Sequence, residues 1–197
     1  YGLNLNRLDI PVNPYDAFRC DVPNLSTSLY FVVNDSFYTR QLPQAHLPEG
    51  VIVDSLCRVA ATQPQLVEPY YGRLAQTGAD ALVALNTMLA QDGLFIYVPR
   101  HVRMDRTVQI INILRSDVDL MVNRRVLIVV EQGAEARFLF CDHAADDRCF
   151  LATQVIEAYV GDNASLDLYC MEETHIRNTR TSNVFIEQQA NSRVNHN

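Results

Sequence analysis

Residues 130 to 170 carry one pattern twice. Val130-x3-Ala134-x-Ala136-x-Phe138-x-Phe140 returns thirty positions later as Val160-x3-Ala164-x-Leu166-x-Leu168-x-Cys170, and a weaker third copy begins at Ile186 and Ala190. Each copy follows a strand-like run (126–130, 153–160, 182–188) and contains a turn: Gln132-Gly133, Gly161-Asp162-Asn163 or Gln189-Ala190-Asn191. A repeat of about 20–50 residues marks units that bury a face only by stacking on their neighbours. Two or three short strands per unit make this a β-solenoid, with Ala134, Phe138, Ala164 and Leu168 lining a common interior. A β-sandwich of unrelated strands is the alternative that alternation alone leaves open. Solenoid ends are bare strand edges, which natural proteins cap. A sequence that stops at Val194-Asn195-His196-Asn197, inside the third copy, is therefore expected to continue natively or to meet a partner on that edge.

Upstream, Leu3, Leu5, Leu8 and Ile10 precede a Pro/Asn-rich stretch. Leu29–Val33 and Phe37-Tyr38 then flank Asn34-Asp35-Ser36 and predict a hairpin. Beyond a loop bearing Pro43 and Pro48, Val51–Val53 predicts a strand, followed by short helices near 54–62 and 65–76. The clearest helix has Asp80 as N-cap, an apolar face of Ala81, Leu82, Leu85, Met88 and Leu89, exposed Asn86 and Gln91, and Gly93 as its stop. From residue 94 the period is two, with strands predicted at 94–98, 108–113 and 126–130. The organisation expected is an N-terminal α/β region, 1–79, leading into a β-solenoid core, 80–197.

Composition narrows the function. Arginine is the sole strong base, since the sequence contains no lysine; this removes Schiff-base chemistry and the phosphate-binding lysine of nucleotide loops. A net charge of −7 repels nucleic acid and anionic lipid. No apolar run approaches the roughly 20 residues of a membrane helix. The five cysteines (Cys20, Cys57, Cys141, Cys149, Cys170) are scattered without a Cys-x-x-Cys pair, which disfavours a disulfide framework or zinc knuckle and fits a reducing, cytoplasmic compartment. The start, Tyr1-Gly2-Leu3, resembles no signal peptide and has no initiator Met, so an excised fragment is expected.

The segment Ala84-Leu85-Asn86-Thr87-Met88-Leu89-Ala90-Gln91-Asp92-Gly93-Leu94-Phe95-Ile96-Tyr97-Val98-Pro99 resembles the entry motif of the SufB/SufD family of iron-sulfur cluster assembly proteins: an ALN helix, a DG turn, and an apolar strand ending in VP. Arg125–Ala134 and Asp162–Tyr169 add further matches, and the loop 141–150 is more similar to the SufD branch than to the SufB branch. The resemblance implies a right-handed parallel β-helix. It also implies a non-catalytic scaffold that pairs with SufB, docks the ATPase SufC, and takes part in cluster biogenesis and iron acquisition. By the same resemblance, the cluster is expected to form at the subunit interface, with no cofactor tightly held by this chain. The family's interface Cys-x-His motif and its ATPase-docking region have no counterpart at a numbered position here. The paralogous SufB scaffold and a β-helix polysaccharide lyase are the alternative readings; the chain has no Trp platform and no acid pair on one repeated face.

Candidate side chains each have a plainer reading. Cys141, Asp142, His143, Asp146, Asp147 and Cys149, with Arg148 among them, are able to bind iron or zinc, yet their spacing matches no established pattern and a polar inter-strand loop explains them. Cys170 shares the register of Ala164, Leu166 and Leu168 and should pack in the core. His175 and Glu172-Glu173 fit an exposed turn. His101, with Arg100, Arg103 and Arg106, could receive an anion or form a solvated rim. No catalytic or cofactor-binding residue is assigned, and the metal-binding set is left unassigned.

Overall fold

The structure is a computed structural model that describes residues 28–39, 47–78, 80–145 and 147–197. Leu3, Leu5, Leu8, Ile10, Cys20, Pro43 and Asp146 lie outside the described residues.

The alternating runs become strands that stack in parallel in two facing sheets. In chain order they are β1 (Ser28–Val33), β2 (Ser36–Phe37), β3 (Ile52–Ser55), β4 (Leu94–Val98), β5 (Val108–Leu114), β6 (Leu120–Val130), β7 (Glu135–Ala144), β8 (Phe150–Val160), β9 (Ser165–Glu173), β10 (Asn178–Gln188) and β11 (Arg193–His196). One sheet runs β10-β8-β6-β4-β3 and the other β11-β9-β7-β5-β1-β2, so from β4 onward the chain alternates between them as a coil. β3 against β4 and β1 against β2 are antiparallel; the other pairs are parallel. This is the expected parallel β-solenoid.

The thirty-residue echo is the register itself: Val130 lies opposite Val160, and Glu135 opposite Ser165. The third copy is offset from the sequence reading, because Ile186 pairs with Ala158 and it is Gln188 that faces Val160. Six residues separate His143 from Phe150, whereas four separate their ladder partners Glu173 and Asn178, which pulls the last coil back by two. The four diagnostic side chains share one interior as expected: Ala134, Phe138 and Leu168 are 0% exposed and Ala164 is 2% exposed. They lie in one cluster with Val98, Val130, Ile156 and Val160.

The N-terminal elements extend the same sheets: β1 pairs with β5, and β3 with β4. The hairpin forms where Asn34 adopts a left-handed φ of 56°, a conformation Asn tolerates. Helix α1 (Leu56–Thr62) is capped by Ser55, whose Oγ accepts from the Arg58 N–H at 3.1 Å. The helix expected over 65–76 does not form; Pro64–Leu66 is one 3-10 turn and the following residues are turns. Pro69 has no N–H to donate and disfavours the helical region for Glu68 before it. A buried carboxylate then takes the amides that a helix needs. Glu157, on the outer face of β8, accepts from the N–H groups of Gly72 (2.9 Å), Leu74 (2.9 Å) and Ala75 (3.0 Å). The same carboxylate meets Arg125 Nη2 of β6 at 2.6 Å, and the Arg125 guanidinium lies 4.8 Å over the Tyr71 ring. One ion pair, Arg125 at 1% and Glu157 at 0% exposed, thus holds the 70–75 segment against the sheet.

Helix α2 (Ala81–Leu89) starts at Asp80 as expected, with Asp80 Oδ1 accepting from Leu82 N and Val83 N. Its buried face is not the expected one: Val83 and Asn86 are 0% exposed, whereas Leu82 is 41% and Met88 72% exposed. The rotation has a polar cause. Asn86 Nδ2 donates to the carbonyls of Arg124 (3.0 Å) and Thr153 (3.2 Å), tying the helix to two neighbouring strands, and a buried amide with its bonds made outweighs an apolar stripe that water can reach. Gln91 is exposed, as expected.

Gly93 does not stop the helix, which ends at Leu89 with Ala90 in extended conformation as C-cap. Its role is proximity: a Cβ there would overlap the Arg125 carbonyl oxygen. Asp92 beside it links three elements, Oδ2 accepting from Phe37 N (3.1 Å) and Oδ1 from Ser55 Oγ (2.7 Å) and Cys57 N (3.2 Å). Gly93→Ala is therefore expected to cost about 1–3 kcal/mol through overpacking, read as a lower urea midpoint with unchanged slope. A substitution that left the midpoint where it was would show that the approach to β6 is slack.

Candidate functional site

In a solenoid of alternating strands, inward positions are apolar by default. The register that points Val126, Ile128 and Val130 inward also carries Arg124 on β6, and the register of Phe138 and Phe140 carries Asp142 on β7. Arg124 (2% exposed) and Asp142 (1%) form an ion pair across the two sheets. The next coil joins them: Arg180 Nη2 of β10 lies 2.9 Å from Asp142 Oδ2, and its Nη1 lies 3.1 Å from Glu172 Oε2 of β9. Arg124 Nε donates to the Asn34 carbonyl at 2.8 Å. Asn112 and Gln154 neighbour Asp142 and Arg124 in the ladders and are also buried.

This charged layer separates two apolar ones. On one side lies the main core; on the other are Leu114, Leu120, Val122, Phe150 and Ala152. Its formal charges balance, two guanidinium groups against two carboxylates. Burial pushes the Arg124 pKa down, with Asp142 opposing the shift. Arg124 Nη2 and Asn112 Nδ2 have no acceptor among the described residues, and such buried donors are where internal water binds. The arrangement fixes the spacing and register of the two sheets and gives the interior a polar cross-section near the β9–β10 turn.

The stretch read as a metal-capable loop begins as strand. β7 runs to Ala144, so Cys141, Asp142 and His143 alternate in direction. Cys141 is buried with Phe31, Ile111, Ile113 and Leu139, and Gln109 Nε2 lies 3.4 Å from its sulfur. Asp142 points inward to the arginines. His143 Nδ1 lies 3.4 Å from Glu173 Oε2 on β9, and burial holds its pKa below the usual imidazole range. Strand alternation sends adjacent side chains to opposite faces, so these three do not converge on one ion. Asp147, Arg148 and Cys149 are exposed. Among the described residues no group of three or more His, Cys, Asp or Glu side chains is placed to hold a metal.

Cys170 packs against the main core, as its register predicts, and lies 4.0 Å from His196 Nε2; burial raises its thiol pKa. Glu172 and Glu173 end β9 rather than occupying a turn, where they engage Arg180 and His143, while His175 lies 3.7 Å from Asp147 Oδ1. The arginines around His101 are spread along the coil: Arg100 meets Glu131 at 3.5 Å, Arg103 meets Glu135 at 2.6 Å, and Arg106 is exposed. His101 itself has a φ of 60°, with its ring against Gly133.

Thiolate reactivity follows exposure and pKa, so Cys57 and Cys149, both exposed, should be alkylated well before Cys141 and Cys170. Peptide mass spectrometry after brief iodoacetamide treatment of the native chain reads this order. Early loss of the Cys141 thiol would contradict its burial.

The sequence reading passed over Arg124, Arg180, Arg125 and Glu157. A signal was present for the first two, since each lies two residues before a predicted strand (126–130, 182–188) on its inward parity, and an inward charge requires a partner across the interior.

The family model for the SufBD protein N-terminal region matches residues 1–110, and that for the SUF system FeS cluster assembly SufBD core domain matches residues 112–197. The chain belongs to the SufB/SufD family. The core-domain match begins within β5 and covers the strands that supply Arg124, Asp142, Glu172 and Arg180. Similar proteins include the iron-sulfur cluster assembly SufBD family protein ABCI9 of Arabidopsis thaliana, 25% identical over 162 residues, which is 82% of this chain and 33% of that relative. A SufBD family protein of Synechocystis is 29% identical over 119 residues, 60% of this chain and 25% of the relative. The iron-sulfur cluster assembly protein SufD of Bacillus subtilis is 26% identical over 148 residues, 74% of this chain and 34% of the relative. The SufB/SufD-family chain described here thus spans about a third or less of the length of the curated relatives it matches. Among its described residues no helix is long and apolar enough to cross a membrane.

Proposed function

We propose that this chain is part of a SufD-type scaffold subunit, which pairs with a SufB-like subunit and a SufC-type ATPase to assemble iron-sulfur clusters and acquire iron in a reducing, cytoplasmic setting. The observation that carries the reading is the match of both SufBD regions, in order, on a solenoid whose central coils stack at a thirty-residue offset. The similarity to Bacillus subtilis SufD and the character of the 141–150 segment favour the SufD branch over its paralogue. The role is non-catalytic. Iron and sulfide are cargo at a surface shared with the partner, and the rigid two-sheet frame supplies strand edges and one solenoid face for that pairing.

The test is co-purification of the full-length protein with SufB-like and SufC-type partners, followed by anaerobic cluster reconstitution. A stable complex that builds clusters faster than the partners alone supports the proposal, and failure to associate removes the function while leaving the fold. Incubation with polygalacturonate separates the other class, because turnover there would assign a lyase instead.

A further inference from the structure

We draw no further inference here: the strongest candidate, the cluster of buried polar atoms inside the solenoid at Asn112, Arg124, Asn178 and Arg180 that lack a partner among the described residues, belongs to the charged layer already described, and its members are spread over β5, β6 and β10 rather than gathered around one ligand.

Discussion

Glu157→Ala is expected to destabilise the chain by roughly 3–5 kcal/mol, the penalty for breaking a buried pair by removing one partner. The substitution leaves the Arg125 guanidinium 1% exposed without its countercharge. It also strands the N–H groups of Gly72, Leu74 and Ala75, each of which now ends on a carboxylate oxygen. At about 2–4 °C per kcal/mol for a chain of this size, the melting temperature should fall by on the order of 10 °C. Glu157→Gln should cost less than Ala. Its carbonyl can still accept from Leu74 and Ala75, as Oε1 does now, although its amide would face the Gly72 N–H and Arg125 as donor against donor. The double variant Arg125→Met/Glu157→Leu should recover only part of the loss, because it removes the orphaned charge and still leaves three amides without an acceptor. Complete recovery would show that the pair matters and the 70–75 clamp does not. Thermal unfolding of the three variants, followed by far-ultraviolet circular dichroism, reads the whole series.

The second large effect is expected at Asp142, the carboxylate shared by the buried Arg124 and the half-buried Arg180. Asp142→Ala should cost about 3–5 kcal/mol. Arg180 retains Glu172 at 3.1 Å, but the hydrogen-bond acceptor left to Arg124, at 2% exposure, among the described residues is the neutral Asn34 carbonyl. The companion variant runs the other way. Arg124→Leu/Asp142→Leu fuses the two apolar layers on either side into one and should restore most of the lost stability, since a buried ion pair is often matched by well-packed apolar residues. Urea unfolding separates the two outcomes through the midpoint at constant slope. If the double variant were as unstable as Asp142→Ala, the cost would lie in sheet spacing and packing rather than in the unpaired charge.

Most of the solenoid was legible because its signal is one-dimensional. Stacked central coils place like residues at a constant offset, so Val130 and Val160, Ala134 and Ala164, and Phe138 and Leu168 advertise their pairing along the chain, and the β6–β8 and β7–β9 ladders confirm the first and last of these. The hairpin at Asn34 and the Asp80 cap were legible for the same reason, since turn and cap chemistry is decided within a few residues. The candidate site was legible only in part. Cys170 falls where its register says, whereas Cys141, Asp142 and His143 read as one polar cluster and are divided between two faces, because β7 extends further than its apolar residues suggest. The expected apolar face of α2 failed for a related reason. Periodicity ranks faces by hydrophobicity, and what turns that helix is the bonding of Asn86 to carbonyls on β6 and β8.

By itself the order of residues determined the coil: its period, the inward register, the turns that close it, and a family motif local enough to be read in sixteen positions. Only the tertiary structure decided how the charges are spent. Arg124 reaches Asp142 and Arg125 reaches Glu157 across strands, and the partner of a buried charge is chosen by three-dimensional proximity in a low-dielectric interior, which no local pattern encodes.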